Sequence, residues 1–148
     1  MKIYAQNKKV RFDYEILETY EAGIKLKGYE TKAAKKGLAS LQGAFITTKN
    51  NKSYLTNAVI GFWQKANTPK DYNEKRQREL LLKRGEMAEV KEKSKAQGLT
   101  LVPTKLYNKR GLVKLEFALV RGKKKYDKRE TIKKREAERK INRALKPR

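Results

Sequence analysis

Leu112-Val113-Lys114-Leu115-Glu116-Phe117-Ala118-Leu119-Val120 alternates with a period of two. Val113, Leu115, Phe117 and Leu119 share one side; Lys114, Glu116 and Ala118 share the other. That is the pattern of a strand with one face on a core and the other toward water. Asn108-Lys109-Arg110-Gly111 just before it is turn chemistry, and Leu99 to Tyr107 reads as the other arm of a hairpin. Pro103 inside that arm predicts an edge position or a bulge.

The same period recurs toward the N-terminus. Val10, Phe12, Tyr14 and Ile16 alternate with Arg11, Asp13 and Glu15, which predicts another half-buried strand. Ile24 and Leu26 resume the pattern after Glu21-Ala22-Gly23, so Gly23 predicts a bulge or bend. Residues 1–9 are polar and expected to be flexible. Thr31 to Lys36 predicts a short helix with Gly37 as its C-cap. Leu41 to Thr47 and Ser53 to Thr56 read as strands joined by a Lys49-Asn50-Asn51-Lys52 turn, and Ala58 to Trp63 is a further apolar stretch. Asn73 is a good N-cap for a helix from Glu74 to Arg84, which Gly85 ends. Glu86 to Gln97 predicts a second helix, with Met87 and Val90 on one face, and the two make a helical hairpin.

These elements predict a mainly β fold with some α. The expected architecture is a small OB-like closed β-barrel of about six strands over residues 1–120, carrying one short helix and the helical hairpin. A two-sheet sandwich is the alternative. Residues 121–148 form a basic tail with a thin apolar stripe, Ile132, Ala137, Ile141, Ala144 and Leu145. So little burial cannot offset the entropy of ordering, which predicts a tail disordered when free and helical when bound.

Charge narrows the function. The 148 residues carry 39 Lys+Arg against 16 Asp+Glu, a net charge of +23. The tail holds 14 basic and 4 acidic groups, a net of +10, and the body holds the remaining +13. Solubility needs far less, and a repeating polyanion matches such a surface better than a lipid headgroup does. Neither a lipid anchor nor an aromatic-rich amphipathic face accompanies the tail, and the first residues lack an apolar signal segment. A soluble, cytoplasmic, monomeric nucleic-acid binder is expected.

Catalysis finds no support. The sequence has no His and no Cys, which removes the commonest general base, metal ligand and nucleophile pairs. Gly122-Lys123-Lys124-Lys125 lacks the upstream Gly and following Ser/Thr of a phosphate loop. We expect no enzyme, no metal and no cofactor. Basic and aromatic residues stand together at Arg11-Phe12, at Tyr107 near Lys109, and at Tyr126 after its lysine run. Periodicity assigns Phe12 to the core, whereas Tyr126, in a tail with no core to enter, is expected to stack on a base. Arg76, Arg78, Lys83 and Arg84 flank Leu80-Leu81-Leu82. Three successive leucines cannot all enter one stripe of a helix, so at least one meets a second helix or a partner.

Several blocks then carry a resemblance. Asp13-Tyr14-Glu15-Ile16, Glu21-Ala22-Gly23-Ile24-Lys25-Leu26-Lys27-Gly28, Arg76-Gln77-Arg78-Glu79-Leu80-Leu81-Leu82, Gly98-Leu99-Thr100-Leu101-Val102-Pro103 and Gly122-Lys123-Lys124-Lys125-Tyr126-Asp127-Lys128-Arg129 occur in family order. The chain resembles the SmpB (SsrA-binding protein) family, partners of transfer-messenger RNA in bacterial trans-translation. The resemblance implies binding of the tRNA-like domain of that RNA and delivery to stalled ribosomes. It also implies a C-terminal tail that acts in the decoding centre.

By the same resemblance, Glu21, Leu81 and Lys114 contribute to RNA binding. Arg11, Phe12, Lys32, Lys35, Arg76, Arg78 and Lys83 complete the expected RNA-binding set. Lys123, Lys124, Tyr126, Asp127, Lys128, Arg129, Ile132, Lys133 and Arg135 are the expected decoding-centre residues. Three departures stand out. Phe12 replaces the usual His, and Asn73-Glu74 replaces Asp-Pro. Ala33-Ala34-Lys35 replaces Ser-Leu-Arg, keeping the charge but losing the guanidinium fork. A basic structural ribosomal protein with an RNA-binding extension is the alternative reading.

Overall fold

The structure, a computed structural model, describes residues 2–96, 98–122, 135–137 and 139. Its frame is the hairpin expected from the sequence. Strands β8 (Leu99–Lys109) and β9 (Leu112–Gly122) pair in register around Arg110 and Gly111. Both turn residues have positive φ, 53° and 80°, as a two-residue hairpin turn requires. Asn50 and Asn51 do the same, at 51° and 61°, between β4 (Phe45–Lys49) and β5 (Lys52–Thr56). A bulge at Thr104 interrupts the β8 register next to Pro103.

The remaining strands are β1 (Lys2–Gln6), β2 (Tyr14–Ile24), β3 (Ala39–Ser40), β6 (Val59–Ile60) and β7 (Arg78–Leu81). Seven strands form one antiparallel sheet in the order β1-β8-β9-β2-β7-β5-β4, while β3 and β6 pair separately. The expected closed barrel is therefore corrected to an open, curled sheet. β4 packs close to β8, but both edges of β8 are already occupied, by β9 and β1. No ladder remains on which the sheet could close. The cause is β1, which lies in the stretch expected to be flexible.

Two further expectations change. Val10–Asp13 is a single helical turn, α1, and β2 begins only at Tyr14. The expected helix from Glu74 to Arg84 is absent: Arg78–Leu81 is strand β7, held between β2 and β5. Leucine-rich sequence favours a helix only weakly, and pairing on both sides overrides it. The helical hairpin thus reduces to one helix, α3 (Arg84–Ser94), with Gly85 inside its first turn. Helix α2 (Gly28–Lys35) overlaps the expected Thr31–Lys36 but begins three residues earlier, at Gly28; Gly37 has φ +81°, and Leu38 N–H reaches Ala33 C=O.

The alternation in β9 builds two cores. Leu115, Phe117 and Leu119 join Ala22, Ile24, Leu55, Leu80, Leu101, Leu106 and Val90 in the main one. Phe117 stacks on Tyr20 with ring centroids 5.3 Å apart. Ala118 and Val120, on the opposite face, are covered by Val10 of α1 and by Val102. Ala118 is therefore not solvent-facing. The outer face of the sheet is roofed at one end by α1 and bare at the other.

Candidate nucleic-acid interface

The bare end of the outer face is assembled by register. Gly23 of β2 pairs with Leu81 of β7 on one side and Lys114 of β9 on the other; Lys114 in turn pairs with Tyr107 of β8. Glu21 lies two residues from Gly23 and so shares its face. Three residues expected to bind RNA, Glu21, Leu81 and Lys114, thus converge on three adjacent strands. Leu81 is 51% exposed and Leu112, on the same face of β9, is 61% exposed. Large apolar side chains this open are suited to contact with a partner.

Gly23 shapes this surface. It is not the expected bulge, since its pairing on both sides is regular and the β2 bulge lies at Leu17. A Cβ at position 23 would sit 3.3 Å from Leu81 Cβ. Glycine leaves room for the Leu81 side chain, whose Cδ1 would lie 3.5 Å from that Cβ.

Glu21 is held by two groups. Tyr107, itself buried, donates its hydroxyl to Glu21 Oε2. Lys109 Nζ lies 3.3 Å from both carboxylate oxygens. The Tyr107 hydrogen bond, against a burial penalty and with help from Lys109, holds the Glu21 carboxyl below the usual carboxylate range. Burial and Glu21 together push the Tyr107 hydroxyl above its ordinary value. The sequence offered one signal for this arrangement, the aromatic–basic pairing of Tyr107 and Lys109; nothing local tied either to Glu21.

The other expected residues divide. Arg11 is exposed on α1, and Phe12 beside it lies under the Arg135 guanidinium, 5.7 Å from the ring centroid. Lys35 is exposed on α2, and Lys32 sits over the Trp63 ring at 5.2 Å, a basic–aromatic pair that the sequence reading did not single out. Lys83 is exposed at the start of α3. Lys123, Lys124, Tyr126, Asp127, Lys128, Arg129, Ile132 and Lys133 lie outside the described residues.

Arg76 and Arg78 are placed differently. Arg78 is fully buried, as is Glu30 of α2. Arg78 Nε donates to Glu30 Oε2 at 2.7 Å, and its remaining N–H groups reach Ala58 C=O, Arg76 C=O, Glu74 C=O and the Tyr72 hydroxyl. Arg76 also bonds Glu30, through Nη2 and, at 3.1 Å, through Nε. Glu30 further accepts the Lys27 N–H at 2.8 Å, half of a capping box on α2. Burial would raise the Glu30 carboxyl, but the hydrogen bonds from Arg76, Lys27 and Arg78 outweigh it and hold it low. Arg78 is therefore a structural residue that cannot reach a surface ligand, and Arg76 is largely committed to Glu30.

Among the described residues, no group of acidic side chains is placed to hold a metal, and no helix is long and apolar enough to cross a membrane. The SmpB protein family model matches residues 4–147. The chain belongs to the SmpB family. An SsrA-binding protein of Thermosipho africanus is 50% identical over 147 residues, covering 99% of this chain and 98% of the relative. One from Trichodesmium erythraeum is 45% identical, covering 98% and 93%. A solved structure described as "tmRNA-SmpB: a journey to the center of the bacterial ribosome" matches with a TM-score of 0.67 and 40% identity. It covers 86% of this chain and 92% of its own. This SmpB family member therefore shares its sequence with proteins named SsrA-binding protein and its shape with a chain of the tmRNA-SmpB structure.

Proposed function

We propose that the chain is an RNA-binding adaptor of trans-translation. It binds the tRNA-like domain of transfer-messenger RNA and delivers it to stalled ribosomes, and residues 121–148 act in the decoding centre. The observation that carries this is the convergence of Glu21, Leu81 and Lys114 on one bare sheet face in an SmpB family member. Lys114 supplies fixed positive charge and Leu81 an apolar contact for an unstacked base, while Glu21 accepts hydrogen bonds. The exposed cations Arg11, next to Phe12, Lys32, over Trp63, Lys35 and Lys83 add further positive charge. The chain's relatives are named for binding, and it lacks the His and Cys of the commonest catalytic sets, so we assign it no catalysis and no cofactor. Its place is the cytoplasm, as a monomer, with the ribosome and its small-subunit RNA.

The test is recovery of the protein from a bacterial lysate followed by sequencing of the bound RNA. Transfer-messenger RNA should dominate; stoichiometric recovery with all ribosomes, stalled or not, would favour a structural ribosomal protein instead. Affinity for the tRNA-like RNA should fall with salt, with a log–log slope of roughly −0.7 to −0.9 per phosphate neutralised. A flat response contradicts charge-led binding. Leu81→Ser should weaken RNA binding while leaving stability within about 0.5 kcal/mol of the parent, because the side chain is half in water. Urea melts beside filter binding separate the two effects.

A further inference from the structure

Glu21 is an anion on the face that meets a polyanion. A phosphate there would be repelled, so this carboxylate serves RNA only as a hydrogen-bond acceptor. Its surroundings specify which donors it takes. An exposed Lys–Glu pair such as Lys109–Glu21 adds little stability. Tyr107 is another matter: a buried phenol reaches from β8 across β9 to hold one oxygen of a carboxylate on β2. That fixes the rotation of the carboxyl plane.

The fork of that plane is open to water. Lys109 Nζ sits 3.3 Å from both oxygens, longer than the ~2.7–2.9 Å of a firm charge-assisted bond. Its side chain is half exposed and free to turn toward a phosphate. The ammonium therefore marks, as a displaceable occupant, a position that takes a donor on each oxygen. Among RNA bases only guanine presents two adjacent N–H donors on its Watson–Crick edge, from N1 and the 2-amino group. Adenine and cytosine offer one amino group, and uracil one ring N–H. Leu81, across Gly23, gives the base face an apolar neighbour.

We propose that Glu21, oriented by Tyr107, receives the Watson–Crick edge of an unpaired guanine of the bound RNA, which displaces Lys109 from the carboxylate fork. Tyr107 is a positioning residue, and it sets specificity through Glu21. The proposal rests on the adaptor reading above and adds the base that the face selects.

The test uses the full chain and synthetic tRNA-like RNA in which each unpaired guanine is replaced in turn by inosine, which lacks only the 2-amino group. At one position inosine should weaken binding roughly tenfold. Glu21→Ala should bind the parent RNA more weakly and show no inosine penalty at that position. Tyr107→Phe keeps the ring and should retain the parent melting temperature, yet the inosine penalty should shrink to about threefold or less. An inosine penalty that persists in Glu21→Ala, or no penalty at any position, overturns the assignment. So does a Glu21 dependence that follows removal of a 2′-hydroxyl instead. If the parent chain does not bind the unmodified RNA, the adaptor reading itself fails, and the guanine contact falls with it.

Discussion

Glu30→Ala should destabilise the folded protein by about 3–5 kcal/mol. The substitution leaves the fully buried Arg78 guanidinium with no anion, and it also frees Arg76. Breaking one partner of a buried ion pair is far worse than replacing both with apolar groups of similar size. Glu30→Leu combined with Arg78→Met should therefore recover much of the loss. Urea denaturation with an unchanged slope measures both variants; a loss under about 1 kcal/mol for Glu30→Ala would show that the network does not hold β7. The same pair sets a pH dependence. The folded-state carboxyl is held below its ordinary value, so its contribution is present above the usual carboxylate range and fades as pH falls below it. Stability should decline on acidification more steeply in the parent than in the double variant.

Ending the chain after Gly122 should abolish rescue of stalled ribosomes while tRNA-like RNA binding stays within a few-fold of the parent. The cut belongs at Gly122 because β9 runs to that residue. Arg121 pairs with Leu99 and Glu15, and Gly122 with Tyr14. An earlier stop would remove strand residues and confuse folding with function. The bare sheet face remains whole in the shortened chain, whereas most of the +10 carried by residues 121–148 is gone. Binding is best compared near physiological ionic strength, where the long-range part of the tail's attraction is screened. Equal loss of binding and rescue would refute the division of labour between body and tail.

The sequence exposed what is local. The period of two in Leu112 to Val120, the Asn50-Asn51 turn and the Gly37 cap each depend on neighbouring residues, and each was readable. Lys114 was placed on the outer side by that same period. What failed depends on distance along the chain. Arg78 reads as one more surface cation until Glu30, 48 residues earlier, is seen against it. That pairing, with β2 and β5 on either side, turns an expected helix into strand β7. The leucine triple was correctly read as having one member outside, but for a helical reason; in a strand Leu80 and Leu81 simply face opposite ways. Glu21 was placed in the RNA-binding set by resemblance, while its hold by Tyr107, 86 residues later, left no local trace.

The open sheet ends in two strands, β1 and β4, with no further strand beside them in it. Such edges invite another copy of the chain to add its own strand, and Phe45-Ile46-Thr47-Thr48 in β4 is the kind of sequence that does so. The net charge of +23 answers this, because like-charged copies repel before their edges meet. The charge that draws in RNA therefore also keeps the free protein in solution. Salt weakens both at once, and bound RNA, by neutralising the surface, must take over the task of keeping copies apart.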